Sequence, residues 1–224
     1  LLVTLMFVLD EQIGSVGYIL TMKPLDAQIR SANPYLAGWL AALLCYPPFQ
    51  MMAPADRPLF YLANTRGDDN WMHVLAGQDE LLWAWAVLLV LLTFCYAWAT
   101  VAFGIRFSNL TYRGVLTNGP YRFTRHPAYL AKNTFWWCAS MPFFVSNGSA
   151  VDAVRNTFFL GCVSAIYYWR ALTEERHLLA EDQKYRDYHA WMNRNGAITA
   201  PLHRLGQALL RNRAALAAKG AEQA

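Results

Sequence analysis

Residues 81–105 read LLWAWAVLLVLLTFCYAWATVAFGI, and they contain no charged side chain. A helix that crosses a bilayer needs about 20 mostly apolar residues, and this run supplies them without interruption. A water-soluble core helix alternates apolar and polar faces; this one is apolar around its whole circumference. The run therefore predicts a transmembrane helix, and with it an all-α membrane protein.

Working outward, the rest of the chain agrees. Of its 224 residues, 56% are hydrophobic and 15% charged, where a soluble domain averages roughly 25% charged. Nine Trp, twelve Tyr and twelve Phe are types that collect at bilayer interfaces. Further spans are expected at Pro34–Ala53, Pro127–Val145 and Val151–Leu172, with Leu1–Met22 as a fifth that Asp10 and Glu11 interrupt. Five spans place residues 23–33, residues 106–126 and the tail after Leu172 on one side of the membrane. That side then carries 14 of the 19 Lys and Arg residues. By the positive-inside rule it is the cytoplasmic side. The net charge of +4 is too small and dispersed to point to nucleic acid. Cys45, Cys95, Cys138 and Cys162 form no CxxC pair, so they read as apolar packing residues and no metal site is expected. No basic stretch precedes the first apolar run, so a cleavable signal peptide is not expected.

Three polar clusters interrupt this apolar background. The first is Gly119-Pro120-Tyr121-Arg122-Phe123-Thr124-Arg125-His126-Pro127-Ala128-Tyr129. Pro127 suits the first turn of a helix, which puts Arg125 and His126 at a helix N-terminus, where free N–H groups favour a carboxylate or phosphate. The same residues also suit lipid-headgroup anchoring. The second is Glu174-Glu175-Arg176-His177, expected just past the end of a span, where two adjacent carboxylates call for a cationic partner such as Arg125 or a ligand amine. In the third, Tyr185, Tyr188 and Met192 share a helical face. Lys132 and Asn133 fall inside the third span, one turn beyond Tyr129, where an ionisable group either serves a function or snorkels to the interface. Asp10 and Glu11 face either a polar cavity or water. The Ala-rich tail 202–224 reads as a surface helix lying on the membrane or as a frayed end.

These clusters resemble, in order and spacing, the isoprenylcysteine carboxyl methyltransferase family of membrane methyltransferases, close to the phospholipid methyltransferases. The resemblance rests on Gly119 to Tyr129, the Glu174-Glu175 pair with Leu178, and Tyr185 with Tyr188, and it covers about residues 100–200. It implies a helical membrane fold with a cytoplasmic pocket for S-adenosylmethionine and a lipophilic acceptor arriving from the bilayer. On this likeness Gly119, Tyr121, Arg125, His126, Tyr129, Glu174, Glu175, Tyr185 and Tyr188 hold the cofactor, with Arg125 and Glu175 also assigned to catalysis. The cofactor's carboxylate suits Arg125 and His126, its ammonium suits Glu174 or Glu175, and its adenine suits the tyrosines. Lys132-Asn133 departs from the family pattern.

The expected organisation is a single integral membrane domain, 1–224. It comprises N-terminal spans over 1–100, a methyltransferase-like core over 100–200 and a basic tail over 201–224, located in a bacterial inner membrane. Two other readings stay open. His126-Pro127 followed by Trp136-Trp137 is similar to the membrane sterol and steroid reductases, which use NADPH, and Arg122, Arg125 and Lys132 would then serve a phosphate. A non-enzymatic accessory subunit, its Arg and Tyr residues anchored in lipid, is the third.

Overall fold

The computed structural model describes residues 1–45, 71–145 and 148–222. The fold is all-α, as expected, with a single two-residue strand pair. The helices are α1 (Leu2–Ile19), α2 (Leu36–Leu43), α3 (Trp71–Val74), α4 (Asp79–Phe103), α5 (Pro127–Ser140), α6 (Ala150–Glu181), α7 (Gln183–Asn195) and α8 (Thr199–Glu222). Strand β1 (Ser31–Ala32) pairs antiparallel with β2 (Thr111–Tyr112).

Two helices, α1 and α4 with the turn that follows it, are long and apolar enough to cross a membrane. At 1.5 Å per residue the 25-residue α4 is about 37 Å long. One flank of α4 packs on α1 and α5. The other exposes Trp83, Val87, Leu91, Phe94, Trp98 and Val101, a stripe at helical spacing that water would disfavour. Val151, Val154 and Phe158 continue an apolar exterior on α6.

The remaining expected spans differ from their sequence limits. The second begins at Leu36, and its residues beyond 45 lie outside the described residues. The third is shorter than Pro127–Val145. Helix α5 has 14 residues and stops at Met141, which is left-handed (φ 40°), because the residue before Pro142 is forced out of the helical region. The fourth is longer. Ser149 caps α6 by accepting from the Asp152 amide, and the helix runs 32 residues to Glu181. Glu174 and Glu175 therefore stand within a continuous helix rather than at a helix end. Cys95 lies on the exposed flank of α4, and the other three cysteines are partly buried.

The segments expected to share one side do meet at one end of the bundle. The β1–β2 pair joins 23–33 to 106–126. Tyr112 donates to Asp182 at the α6–α7 junction, and Ser31 bonds the His177 ring at 2.9 Å. Arg113 is buried there, and its Nη1 donates to the carbonyls of Gly17 (2.7 Å), Leu20 (2.9 Å) and Ile105 (3.2 Å). One guanidinium thus satisfies carbonyls that the ends of α1 and of the α4 extension leave without helical partners. Gly17 is required at this crossing, since a Cβ would lie 2.8 Å from Phe107 Cβ and 2.9 Å from its carbonyl oxygen.

Candidate functional site

The same end holds a cavity of about 1380 Å³, counted with its open mouth, lined from α1, α4, α5, α6, α7 and the 106–116 segment. Its chemistry begins with Pro127. Because the helix starts there with His126 as its N-cap, Arg125 and His126 turn inward toward α6. Arg125 Nε donates to Glu175 Oε1 at 2.6 Å, and His126 Nε2 lies 2.8 Å from the same oxygen.

Helix α7 closes this cluster. Arg125 Nη1 donates to Asn193 Oδ1. Asn193 Nδ2 lies 3.3 Å from His189 Nδ1; an amide nitrogen only donates, so Nδ1 accepts and the proton sits on Nε2. That nitrogen faces Glu175 Oε2 at 3.6 Å. Burial pushes the Glu175 carboxyl up, but the hydrogen bond from His126, the nearby His189 and the Arg125 charge outweigh it. They hold the group well below the usual carboxylate range. The buried Tyr185 completes the wall, and Tyr188 Oη donates to the Tyr121 carbonyl at 2.6 Å. Burial raises the phenols of both Tyr185 and Tyr188.

Glu174 points the other way. Its Oε1 accepts from Tyr129 Oη at 2.5 Å and from Arg170 Nε at 3.2 Å. Arg170 is buried, lies 5.4 Å from the Tyr129 ring centroid and also donates to Asn109 Oδ1 at 2.6 Å. The two adjacent carboxylates, which would repel if they shared a site, are thus separated into two arginine-paired clusters.

Each cluster retains an open valence. Arg125 Nη2 and Glu174 Oε2 have no hydrogen-bond partner among the described residues, and both side chains line the cavity. A guanidinium N–H donor and a carboxylate acceptor lining the same cavity match the two charges of a zwitterionic amino-acid group. S-adenosylmethionine carries such a group, and the tyrosines offer faces for its adenine.

Of the nine residues expected to hold a cofactor, Tyr121, Arg125, His126, Tyr129, Glu174, Tyr185 and Tyr188 line the cavity. Gly119 does not: it makes the turn (φ 55°) and backs onto Trp98 and Ala102. Glu175 does not line it either. It stands behind Arg125 and His126, both of which bond to its Oε1. His177 lines the cavity and is bonded to Ser31. Burial lowers its pKa against the opposing pull of Glu181 and Glu174. Met192 is fully buried, as its helical face predicts.

Of the three residues expected to serve a nicotinamide phosphate, Arg125 and Lys132 line the cavity and Arg122 does not. Arg122 is exposed and stacks on Phe123 at 5.3 Å. Trp137 donates to Ser164 at 3.0 Å, and Trp136 packs among Phe7 and Phe135; neither lines the cavity. His189, Asn193 and Arg170 were not singled out from the sequence. Tyr185, His189 and Asn193 recur every four residues along α7, the one periodic signal that marks the face.

The cavity has a second polar end. Asp10 of α1 accepts from Tyr96 Oη and Thr100 Oγ1 of α4, so Asp10 faces the cavity rather than water. Lys132 of α5 reaches Tyr96 Oη at 3.5 Å and lies 5.1 Å and 5.9 Å from the Tyr96 and Tyr167 ring centroids.

The molecule so described is an all-α protein with an apolar exterior and a polar cavity at one end. The chain belongs to the DUF1295 family, described as a protein of unknown function, whose model matches residues 60–193. The match takes in α3 to α6, α7 up to residue 193 and all nine expected site residues; α1, β1, α2 and α8 lie outside it. No curated protein and no solved structure matches the chain. The likeness to the isoprenylcysteine carboxyl methyltransferases stays at the level of the motifs.

Proposed function

We propose that this protein is an integral membrane methyltransferase that moves a methyl group from S-adenosylmethionine to a lipophilic acceptor. The observation that carries the reading is the pair of open valences, Arg125 Nη2 and Glu174 Oε2, on two residues that line the same tyrosine-lined cavity. Arg125 and His126 hold the cofactor's carboxylate, Glu174 its ammonium, and Tyr121, Tyr185 and Tyr188 its adenine. When bound, the cofactor supplies an electrophilic methyl on a sulfonium. The protein contributes position and exclusion of water rather than a strong acid. Glu175, His189 and Asn193 keep Arg125 in its fork geometry. The bundle crosses the membrane five times, with the cavity mouth and the C-terminus cytoplasmic.

The other two readings find less support. The reductase reading needs a cationic set that includes Arg122, which faces outward. The anchor reading needs Arg125 and Tyr129 at the lipid surface, whereas both are bonded to α6 carboxylates.

Calorimetry with S-adenosylhomocysteine on protein in uncharged detergent tests the reading. Saturable heat is expected, with affinity lowered about 10-fold or more in Arg125→Ala and in Glu174→Gln. Absence of heat from the well-folded wild type overturns the proposal, and saturable NADPH binding lost in Arg125→Ala would replace it with the reductase.

A further inference from the structure

The inner end of the cavity is built from parts that the cofactor reading does not use. Lys132 enters from α5, one turn beyond Tyr129, Tyr96 and Thr100 from α4, and Asp10 from α1. Lys132 pairs with no carboxylate among the described residues. Among the described residues its one hydrogen bond is the 3.5 Å contact to Tyr96, so two of its three N–H donors are left there for whatever occupies the cavity. An ammonium inside an apolar bundle is costly and marks a ligand path. Asp10, by contrast, has both oxygens taken by hydroxyls. An ionised carboxylate only accepts, so Tyr96 donates to Asp10 and receives from Lys132. The hydrogen bonds run in one direction, from the cation through a phenol to the anion.

We infer that this chain of Lys132, Tyr96 and Asp10 is the acceptor subsite, and that the methyl acceptor it takes is a lipophilic hydroxyl compound. The inference rests on the methyltransferase reading. The signs of the charges select the class. An amine arrives as an ammonium, and Lys132 repels it. A carboxylate gives up no proton, so the relay ending on Asp10 would serve no purpose. A neutral hydroxyl meets neither objection. Lys132 stabilises its oxygen as negative charge develops, and Tyr96 takes its proton while passing its own to Asp10. The bond formed joins that oxygen to the methyl carbon. The bond broken is carbon to sulfur, and its electron pair stays on sulfur.

The test uses a chromophoric lipophilic phenol, 4-dodecyl-2-nitrophenol, whose phenolate is read by absorbance. Binding to wild-type protein in uncharged detergent should be saturable and should move the probe's titration about one to three pH units below its value in detergent alone, as a cation within a few ångströms does. Lys132→Met should abolish that shift. Asp10→Asn should keep it but slow methylation of the un-nitrated analogue 4-dodecylphenol, which still carries its proton at neutral pH, about 100-fold or more. S-adenosylhomocysteine affinity, measured on the same samples, should be unchanged in both variants, which shows that they are folded. The inference is overturned if the nitrophenol does not bind, titrates identically in Lys132→Met or is bound but not methylated by the wild type, or if 4-dodecylphenol is methylated at full rate by Asp10→Asn. Loss of S-adenosylhomocysteine binding by the wild type overturns the methyltransferase reading itself and is read separately.

Discussion

Glu175 illustrates how one buried carboxylate sets its neighbours. Two histidines and an arginine converge on it, and removing one partner of such a buried pair costs about 3–5 kcal/mol. Its pKa is lower in the folded chain than in the unfolded one. The stabilisation is therefore complete above the unfolded value of about 4.3 and is lost as pH falls toward the folded value. The thermal midpoint of the wild type should thus drop more steeply below about pH 4.3 than that of Glu175→Gln, which should be lower at neutral pH and flatter in acid. Parallel melting curves followed by circular dichroism check this; equal slopes would remove Glu175 from the acid response. The sequence names Glu175 readily but not its role. Adjacent carboxylates suggest a shared ligand, and only the 100° step of a continuous helix shows that they face different partners.

At the scale of the element, helix existence was legible and helix ends were not. The uncharged run 81–105 announces α4 because periodicity and length are local properties. The end of α5 depends on Met141-Pro142, which sequence places inside an expected span, and the continuation of α6 past Leu172 depends on packing against α7 and β2. Arg113 is the clearest case of information absent from local sequence. It reads as one more cytoplasmic base, yet it is buried and caps carbonyls from two helices. Arg113→Ala leaves those carbonyls unpartnered and should destabilise the protein by about 1–3 kcal/mol, while S-adenosylhomocysteine affinity stays within about twofold. Urea titration beside calorimetry measures both; an unchanged denaturation midpoint would refute the cap.

For the molecule as a whole, charge bias and contacts agree that segments 23–33, 106–126 and the region after Leu172 share one end. The prediction of sidedness follows. A cysteine placed at the exposed Lys184 on the cysteine-free background should react with a membrane-impermeant maleimide only in inside-out vesicles, and one at Gln78 only in right-side-out vesicles. The reverse pattern would invert the topology. What the sequence could not supply is the composition of the cavity. Asp10 and Lys132 lie far apart in the chain, and each alone reads as an awkward polar residue in an apolar run.

The β1–β2 pair and the Arg113 cap tie α1 and α2 to the remainder by contacts between distant parts of the chain. A protein held this way need not be one polypeptide. Residues 1–58 and 59–224 made as two separate products in the same cell should find each other, copurify through a tag on either one, and bind S-adenosylhomocysteine, whereas the longer product alone should lack the Asp10 end of the cavity. Copurification that disappears in Arg113→Ala would identify that guanidinium as the clasp between the halves.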